Sequence, residues 1–427
     1  MIAKQSAVDT LKDPPRYFCF ETPAEYSIMD CLEKFSREGG NRLKIMLSAG
    51  EVSGDLHGAR IARAILSQAP ETVLVGFGGA EMEDAGVRLI ENYESYNVMG
   101  VLEVLKNLPR IYRLLNTLTD AMKEERPDLL VLIDYPDFNW RLAKRAKALG
   151  IPVFSYIPPS AWAWRKGRAA ACAKLAEEFV AIFPHELPVY EAAGAKISFV
   201  GNPLVDTVKA ELPERVARER FAFPEGSHGI LLLPGSRRQE IEMLLPDMLQ
   251  AARRLLVERP GTKFYLPVAP GVDESALRAK IDAAGVPVTL THEARYALMG
   301  LMDAGIATSG TVVMEAALMG LPCVVLYRFA PLNYFIGKLL VHIQSFSLPN
   351  ILLGEPFETE LLQDNVTPEA ILREILPLYR GEEHRRAVVQ KLDKACKRLG
   401  PPGASGRVAE KILVAARRHI SSNGDET

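Results

Sequence analysis

The sequence predicts two doubly wound, parallel α/β domains that face each other across a cleft, and three observations support this prediction. The chain has 427 residues, which is more than one ordinary hydrophobic core holds. Short apolar runs alternate with amphipathic helical patterns, which is typical of a parallel sheet covered on both faces. The alternation occurs twice, and a polar stretch at 206–228 separates the two series.

The first series follows residues 1–41, an N-terminal extension of uncertain order that lacks the apolar core of a signal peptide. We assign residues 42–205 to an N-terminal domain, because helical patterns lie between most of its apolar runs. Its predicted strands are Leu43–Ser48, Thr72–Phe77, Leu129–Ile133, Pro152–Ile157, Phe179–Ile182 and Ile197–Val200.

The second series defines a C-terminal domain over 206–380, with the linker near 202–226. Residues 381–427 are predicted to form helices rich in charge that pack back on the N-terminal domain. The predicted strands of the second domain are Ile230–Leu233, Thr262–Val268, Val286–Leu290, Ala304–Ala307 and Cys323–Leu326. Both domains are therefore expected to be Rossmann-like, with ligands bound beyond the carboxyl ends of the strands.

Composition narrows the class of protein. Apolar residues make up 48% and charged residues 24%, as in soluble globular proteins, and the net charge of −2 gives no basic field for nucleic acid. The five cysteines contain no CxxC pair, which favours a reducing cytoplasm. No HExxH or Asp-x-Asp motif is present, and no segment is apolar enough to span a membrane. We therefore expect neither a metal nor a cofactor.

The stretch SAGEVSGDLHG, residues 48–58, follows the first predicted strand. Gly54 permits close backbone approach, and the next helix can present free N–H groups to an anion. Glu51 and Asp55 would repel a pyrophosphate, so the loop that includes Ser53 is expected to face a sugar or another polyol. The simpler alternative is a tight turn with Asp55 as the N-cap of the helix.

The stretch PGSRRQEI, residues 234–241, ends the first strand of the second series. Gly235 and Ser236 open a helix, and Arg237 stands at its start. Backbone donors, the positive end of the helix dipole and a guanidinium together suit a phosphate or diphosphate. The alternative is helix capping by Ser236 beside a solvated arginine.

The stretch ATSGTVVMEAALMGLPCVV, residues 307–325, predicts a strand, a turn, a helix and a strand. Ser309, Gly310 and Thr311 form the turn and can hold a second set of phosphate oxygens. Glu315 follows Thr311 by one helical turn on the same face, where it can accept from ribose hydroxyls. The alternative is a partly buried glutamate that pairs with a backbone group.

The stretch IDYPDFNW raises the question of an acid at the end of an apolar strand. Pro136 is expected to push Tyr135 into an extended conformation, which leaves Asp134 at the rim of the cleft. A desolvated carboxylate there would have a raised pKa and suit general-base catalysis. Asp137 is expected to cap the helix that begins near Asn139.

Three further segments carry weaker signals. Asn350, in FSLPNILLG, would either bind ligand or form a turn. Trp164 lies beside cations in SAWAWRKGR, where it would contact sugar or phosphate or simply pack. Residues 96–115 form an unusually apolar helical pattern that favours core packing, with a peripheral membrane patch as the alternative.

Taken together, eight such strings resemble the lipid-A-disaccharide synthase family of GT-B glycosyltransferases, family 19, and occur in the order expected of it. The resemblance is clear over 43–354 and looser to the C-terminus. The strings are SAGEVSGDLHGA, VMGVLEVL, IDYPDFN, PPSAWAWR, FVGNPLVD, LLPGSRRQEI, SGTVVMEAAL and SLPNILLG.

The resemblance implies an inverting, metal-independent enzyme of lipid A biosynthesis on the cytoplasmic face of the Gram-negative inner membrane. The donor would be UDP-2,3-diacylglucosamine and the acceptor 2,3-diacylglucosamine 1-phosphate; the products would be the β-1,6-linked tetraacyl disaccharide 1-phosphate and UDP. Glu51, Asp134, Arg237 and Asn350 match positions that are essential in the family. Glu315 and the turn at 309–311 match its donor-binding region, and an oligomer is possible.

One departure is visible, and two rival functions stay open. Asn202 stands where many family members carry histidine, and an amide cannot shuttle a proton at neutral pH. A first rival is a GT-B enzyme that acts on a soluble UDP-sugar, although the Gly-Gly-Thr-Gly-Gly-His loop of the peptidoglycan enzymes is absent. A second rival is a non-catalytic membrane sensor of nucleotide or lipid, which would bind UDP without turnover.

Overall fold

The computed structural model describes residues 42–96, 101–161, 167–329, 345–379 and 382–424, and it describes side chains in these ranges except at 101–108 and 420–424. The first half of this region builds a seven-stranded parallel sheet in the order β3-β2-β1-β4-β5-β6-β7. Its strands are β1 Lys44–Ser48, β2 Val73–Gly78, β3 Arg88–Asn92, β4 Leu129–Ile133, β5 Val153–Tyr156, β6 Glu178–Ala181 and β7 Ile197–Phe199.

The second half builds a six-stranded parallel sheet in the order β10-β9-β8-β11-β12-β13. Its strands are β8 Gly229–Leu233, β9 Lys263–Pro267, β10 Val288–Thr291, β11 Ala304–Thr308, β12 Cys323–Tyr327 and β13 Glu360–Leu362. The predicted strands of both series are present, and β3 and β13 are additional. These two edge strands are short and only partly buried, so they lack the long apolar run that reveals the central strands.

Helices cover both sheets, as the alternating pattern predicted. They are α1 Val52–Gln68, α2 Ala80–Asp84, α3 Val101–Glu125, α4 Pro136–Ala148, α5 Gly167–Ala173, α6 Leu187–Glu191, α7 Leu204–Thr207, α8 Glu214–Arg220, α9 Arg238–Glu258, α10 Glu274–Ala284, α11 Arg295–Leu301, α12 Thr311–Leu318, α13 Leu348–Leu353, α14 Pro368–Ile375, α15 Glu383–Lys397 and α16 Ala404–Gly424. Among the described residues, none of these helices combines the length and apolar character that crossing a bilayer requires.

The central strands form because their residues are apolar on both faces. All five residues of β4 are buried, and so are all five of β8 and β11. Such strands sit between two helical layers and gain roughly 2 kcal/mol for each large side chain removed from water. Because all strands of each sheet run in the same direction, their carboxyl ends lie at one edge of that sheet.

The C-terminal helices divide between the two cores. α15 packs with the second sheet through Leu392 and its neighbours. α16 returns to the first sheet, where Val408 and Ile412 are fully buried in the same cluster as residues of α1. Asp206 accepts hydrogen bonds from two backbone N–H groups at the start of α16, and the buried Glu178 of β6 pairs with two cations of that helix.

Candidate active site

The turn after β4 holds Asp134 and Tyr135 in left-handed backbone conformations, with φ of 49° and 48°. The prediction that Pro136 forces Tyr135 into an extended conformation is therefore wrong. Proline disfavours the right-handed helical region for the preceding residue, and Tyr135 avoids that region through the left-handed one instead. The Tyr135 ring fills the space above Gly50, where a Cβ atom would lie only 2.2 Å from the ring.

Asn139 fixes this turn, and the sequence reasoning missed its role. Its side chain is fully buried, and its Oδ1 accepts from the Ser48 hydroxyl at 2.7 Å. Its Nδ2 donates to the carbonyl oxygens of Ser48, at 3.1 Å, and Asp134, at 2.7 Å. One amide thus ties the end of β1 to the end of β4 and holds the strained Asp134 backbone in place.

The electrostatics of Asp134 suit a general base. Burial raises the pKa of its carboxyl group, and the nearby Glu51 carboxylate raises it further, while the backbone N–H of Tyr135 opposes the change. Glu51 is exposed and occupies the N-cap position of α1. An aspartate with a raised pKa is a stronger base than an ordinary one and remains able to ionise near neutral pH.

Two acids near this turn have roles that differ from the predicted ones. α4 begins at Pro136, so Asp137 does not cap it; its exposed carboxylate pairs with Arg168 at 2.7 Å. Asp55 does not cap its own helix either. Its buried carboxylate accepts from three backbone N–H groups at the start of α2, with distances of 2.8 to 3.1 Å. Both outcomes depend on partners far away in the sequence.

The remaining predicted residues of this loop lie in the first turn of α1. Ser53 is exposed, while Gly54 is buried against the end of β1. A Cβ atom at Gly54 would lie 3.3 Å from the Ala49 side chain and 3.5 Å from the Ile133 carbonyl oxygen. Glycine therefore lets the first turn of α1 approach the ends of β1 and β4, beside Asp134.

A second carboxyl group on this sheet edge was not predicted. Glu186 ends the short 3₁₀ turn Pro184–Glu186 that follows β6, and it is buried with no hydrogen-bond partner for Oε2. Burial raises its pKa to about 7, and the Asp134 carboxylate contributes in the same direction. The edge therefore carries a glutamate that holds its proton up to neutral pH.

The second sheet bears a cavity of about 580 Å³ at the carboxyl ends of its central strands. The loops after β8, β9, β10 and β11 contribute to its walls. Of the eight binding residues predicted in this domain, all except Asn350 of α13 line this cavity: Gly235, Ser236, Arg237, Ser309, Gly310, Thr311 and Glu315. Residues that stand far apart in the sequence thus meet at one place.

Arg237 contributes a positive charge to the wall of this cavity. It is the N-cap residue of α9, and four-fifths of its side chain is exposed, with a long 3.5 Å contact to Glu240. Gly235 precedes it with φ of 108°, a conformation that favours glycine. An exposed guanidinium beside the amino end of a helix is suited to binding phosphate oxygens.

The start of α12 also contributes to the wall of the cavity. Gly310 and Thr311 are exposed there, with Gly310 as the N-cap. Ser309 differs from the prediction, because its hydroxyl donates to the Phe346 carbonyl oxygen at 2.9 Å and its backbone N–H donates to Leu326. The free donors toward a ligand therefore come from the residues that follow Ser309.

Glu315 has an ion-pair partner in this structure. Its carboxylate lies 3.2 Å from the Arg295 guanidinium rather than against a backbone group. Burial raises the pKa of Glu315, and Arg295 opposes that change. Arg295 also covers the Tyr296 ring, with 4.7 Å between the guanidinium carbon and the ring centroid. A ligand that takes the Glu315 carboxylate would therefore compete with Arg295.

Asn350 and Asn202 are not among the residues that line this cavity. Asn350 is fully buried, and its amide contacts only protein groups of the 357–360 segment. Its binding of substrate stays a prediction. Asn202 is likewise buried, between the Ile182 carbonyl oxygen and the Leu204 N–H. Trp164 lies outside the described residues.

The architecture defines the class of protein. Two parallel, doubly wound sheets that carry ligand-binding features at their carboxyl ends form the GT-B type of fold. A solved structure with this fold is the UDP-GlcNAc 2-epimerase of Neisseria meningitidis bound to UDP-GlcNAc. It shows a TM-score of 0.60 and 14% identity, and the match covers 87% of this chain and 100% of the epimerase.

Sequence relatives define the family more closely. The profile of the family described as Lipid-A-disaccharide synthetase matches residues 45–404. The lipid-A-disaccharide synthase of Myxococcus xanthus is 39% identical over 87% of this chain and 97% of its own length. That of Syntrophus aciditrophicus is 39% identical over 88% and 99%. The chain belongs to the lipid-A-disaccharide synthase family and is a glycosyltransferase of lipid A biosynthesis.

Proposed function

We propose that this enzyme joins UDP-2,3-diacylglucosamine to 2,3-diacylglucosamine 1-phosphate and inverts the anomeric centre. The products are the β-1,6-linked tetraacyl disaccharide 1-phosphate and UDP. The observation that carries the proposal is Asp134: a half-buried carboxyl group with a raised pKa, held by Asn139 at the carboxyl end of β4. Family membership supplies the substrate class.

In this proposal Asp134 takes the proton from the acceptor 6-hydroxyl group as that oxygen attacks the anomeric carbon. The bond from the anomeric carbon to the β-phosphate oxygen breaks, and UDP leaves with the bonding electrons. A single displacement of this kind inverts the configuration. The left-handed turn at Asp134, tied down by the Asn139 bond to its carbonyl oxygen, fixes the backbone that carries the carboxylate. Burial keeps the pKa of Asp134 raised, and the Glu51 carboxylate adds to that effect.

The donor is proposed to bind in the cavity of the second sheet. Arg237 and the amino ends of α9 and α12 are suited to stabilise the negative charge that develops on the departing diphosphate. Preorganised donors of this kind are each worth roughly 3–4 kcal/mol in other enzymes. Glu315 would exchange Arg295 for the ribose hydroxyls. Metal independence follows from this assignment and stays a prediction.

We further propose that residues 42–205 bind the acceptor and that the enzyme rests on the cytoplasmic face of the inner membrane. The apolar segment 96–115 is proposed to receive acyl chains, and its residues 97–108 lie outside the described side chains. Replacement of Val101, Leu102 and Leu105 by serine is expected to reduce partition onto phospholipid vesicles. Unchanged partition would indicate that this segment packs in the core instead.

The direct test of this function is turnover with both acylated substrates in detergent and EDTA. Formation of a disaccharide in step with UDP release, with a β linkage by proton NMR, is the expected result. Equal turnover with acceptors that lack acyl chains would instead favour the rival that acts on soluble sugars. Binding of UDP without any product would favour the sensor.

A further inference from the structure

Asn350 and Glu360 form a hydrogen-bonded centre that joins α13 to the start of β13. Asn350 Oδ1 accepts from the N–H groups of Phe357 and Glu358, each at 3.0 Å, and its Nδ2 donates to the Glu358 carbonyl oxygen at 2.9 Å. The same Nδ2 donates to Glu360 Oε1 at 2.8 Å. Every polar atom of the Asn350 side chain is therefore committed to protein, and the amide fixes the Glu360 carboxylate.

Glu360 in turn holds the segment that precedes α13. Its Oε2 accepts from the Phe346 N–H at 3.0 Å, and its Oε1 accepts from the Ser347 N–H at 2.9 Å. The Phe346 ring lies 6.1 Å from the Tyr327 ring at the end of β12. Two backbone bonds and one ring contact thus set the position of the Phe346 peptide.

The Phe346 peptide connects this centre to the cavity, because its carbonyl oxygen accepts the Ser309 hydroxyl at 2.9 Å. Ser309 is the residue before Gly310, the N-cap of α12. The bond to Phe346 takes the hydroxyl proton of Ser309 and anchors the first residue of the turn. The chain of contacts therefore runs from Asn350 through Glu360 and Phe346 to Ser309.

We propose that Glu360 is a positioning residue for the donor diphosphate, and that Asn350 acts through it rather than by touching substrate. The carboxylate fixes Phe346, Phe346 fixes Ser309, and the N–H groups of Gly310 and Thr311, which follow Ser309, are thereby aimed at the diphosphate. This inference rests on the proposed function, in which the cavity holds the donor nucleotide. The buried Asn350 amide thereby contributes to donor binding, although it lines no part of that cavity.

The test is a double-mutant cycle on UDP affinity, measured by calorimetry on the full chain. In Glu360→Gln one carboxylate oxygen becomes an NH₂ group, so at least one of the three N–H donors around it loses its acceptor. In Ser309→Ala the bond to Phe346 is lost directly. Each change is expected to weaken UDP binding about ten-fold, the worth of one hydrogen bond, and the double variant no further, because both break one chain of contacts.

Kinetics supply the readout that a purely structural role would not move. The KM for the donor is expected to rise in both variants, while the KM for the acceptor stays unchanged. Glu374→Gln is the matched control, because it removes a carboxylate that accepts from Thr359 next to Glu360 but does not contact Phe346 or Ser347. This control is expected to bind UDP as the wild type does.

Two results would overturn the inference. One is a Glu360→Gln variant that melts at a lower temperature but binds UDP with unchanged affinity. The other is a double variant weakened by the full product of the two single effects, about 100-fold, which would mean that Ser309 and Glu360 act independently. Failure of the wild type to bind UDP would be a different outcome, since it would overturn the proposed donor cavity itself.

Discussion

Glu186 provides a prediction that can be worked out from the structure. Its carboxyl group is buried beyond the end of β6, and Oε2 has no hydrogen-bond partner. The perturbation is Glu186→Gln, which replaces an ionisable group by a neutral one of the same shape. We compare the pH dependence of the free energy of unfolding between the wild type and the variant. Any hydrogen-bonding change caused by the substitution affects the variant equally at every pH, so it does not alter that dependence.

The magnitude follows from the two pKa values of Glu186. Burial, with a smaller contribution from Asp134, raises its pKa from 4.5 to about 7. The folded protein therefore binds this proton more tightly than the unfolded chain does, and the stabilisation is complete below pH 4.5 and is lost as the pH rises through about 7. Each factor of ten in proton affinity is worth about 1.4 kcal/mol, so the total loss is ~3 kcal/mol.

The assay is urea unfolding between pH 4.5 and 8, followed by tryptophan fluorescence. All three tryptophans, at positions 140, 162 and 164, precede Glu186 within the first series of strands and so report on this half of the chain. Relative to Glu186→Gln, the wild type is expected to lose ~3 kcal/mol over this range. The exposed Glu191→Gln serves as the control and should follow the wild type. A wild type that runs parallel to Glu186→Gln at all pH values would refute the reasoning.

Three further outcomes follow from the site. Glu51→Gln removes a negative charge that raises the pKa of Asp134, so the acidic limb of the kcat/KM profile should move to lower pH. An unmoved limb would mean that this limb does not report the ionisation of Asp134. Arg237→Ala should weaken UDP binding about 10–100-fold, whereas the control Arg238→Ala, which loses a surface pair with Glu242, should not; unchanged calorimetric affinity would exclude Arg237 from the site. Asn139→Ala leaves buried groups of β1 and β4 unpaired and should cost about 1–3 kcal/mol of stability. The kcat of the protein that remains folded should be reduced, and full activity would show that the Asp134 turn does not depend on the hydrogen bonds of Asn139.

The sequence was sufficient to locate most of the candidate site, for a physical reason. Parallel strands that are buried on both faces appear as apolar runs, and their carboxyl ends must meet at one edge of the sheet. Polar residues directly after such runs therefore come together, as the seven residues around the second-sheet cavity do. Asp134 was found in the same way, at the end of the run that forms β4.

The predictions that failed, and the residues that were missed, depend on contacts distant in sequence. Asp55 looks like the cap of its own helix, but its acceptor oxygens are taken by α2, 24 residues or more away. Asn139 bonds to Ser48, 91 residues away, and this contact is invisible to local patterns. Tyr135 adopts its left-handed conformation in a turn fixed by Asn139 and packs against Gly50. Glu186 gave no signal at all, since burial of a glutamate cannot be read from its neighbours.

The central claim is that Asp134 removes the proton from the acceptor hydroxyl. The measurement that tests it most directly compares turnover of the two acylated substrates by the wild type and by Asp134→Asn, with UDP affinity measured on the same preparations. We expect turnover to fall by about 10²–10⁴-fold with UDP affinity little changed, because general-base catalysis is lost while the donor cavity stays intact. An Asp134→Asn variant that turns over at the wild-type rate would contradict the account.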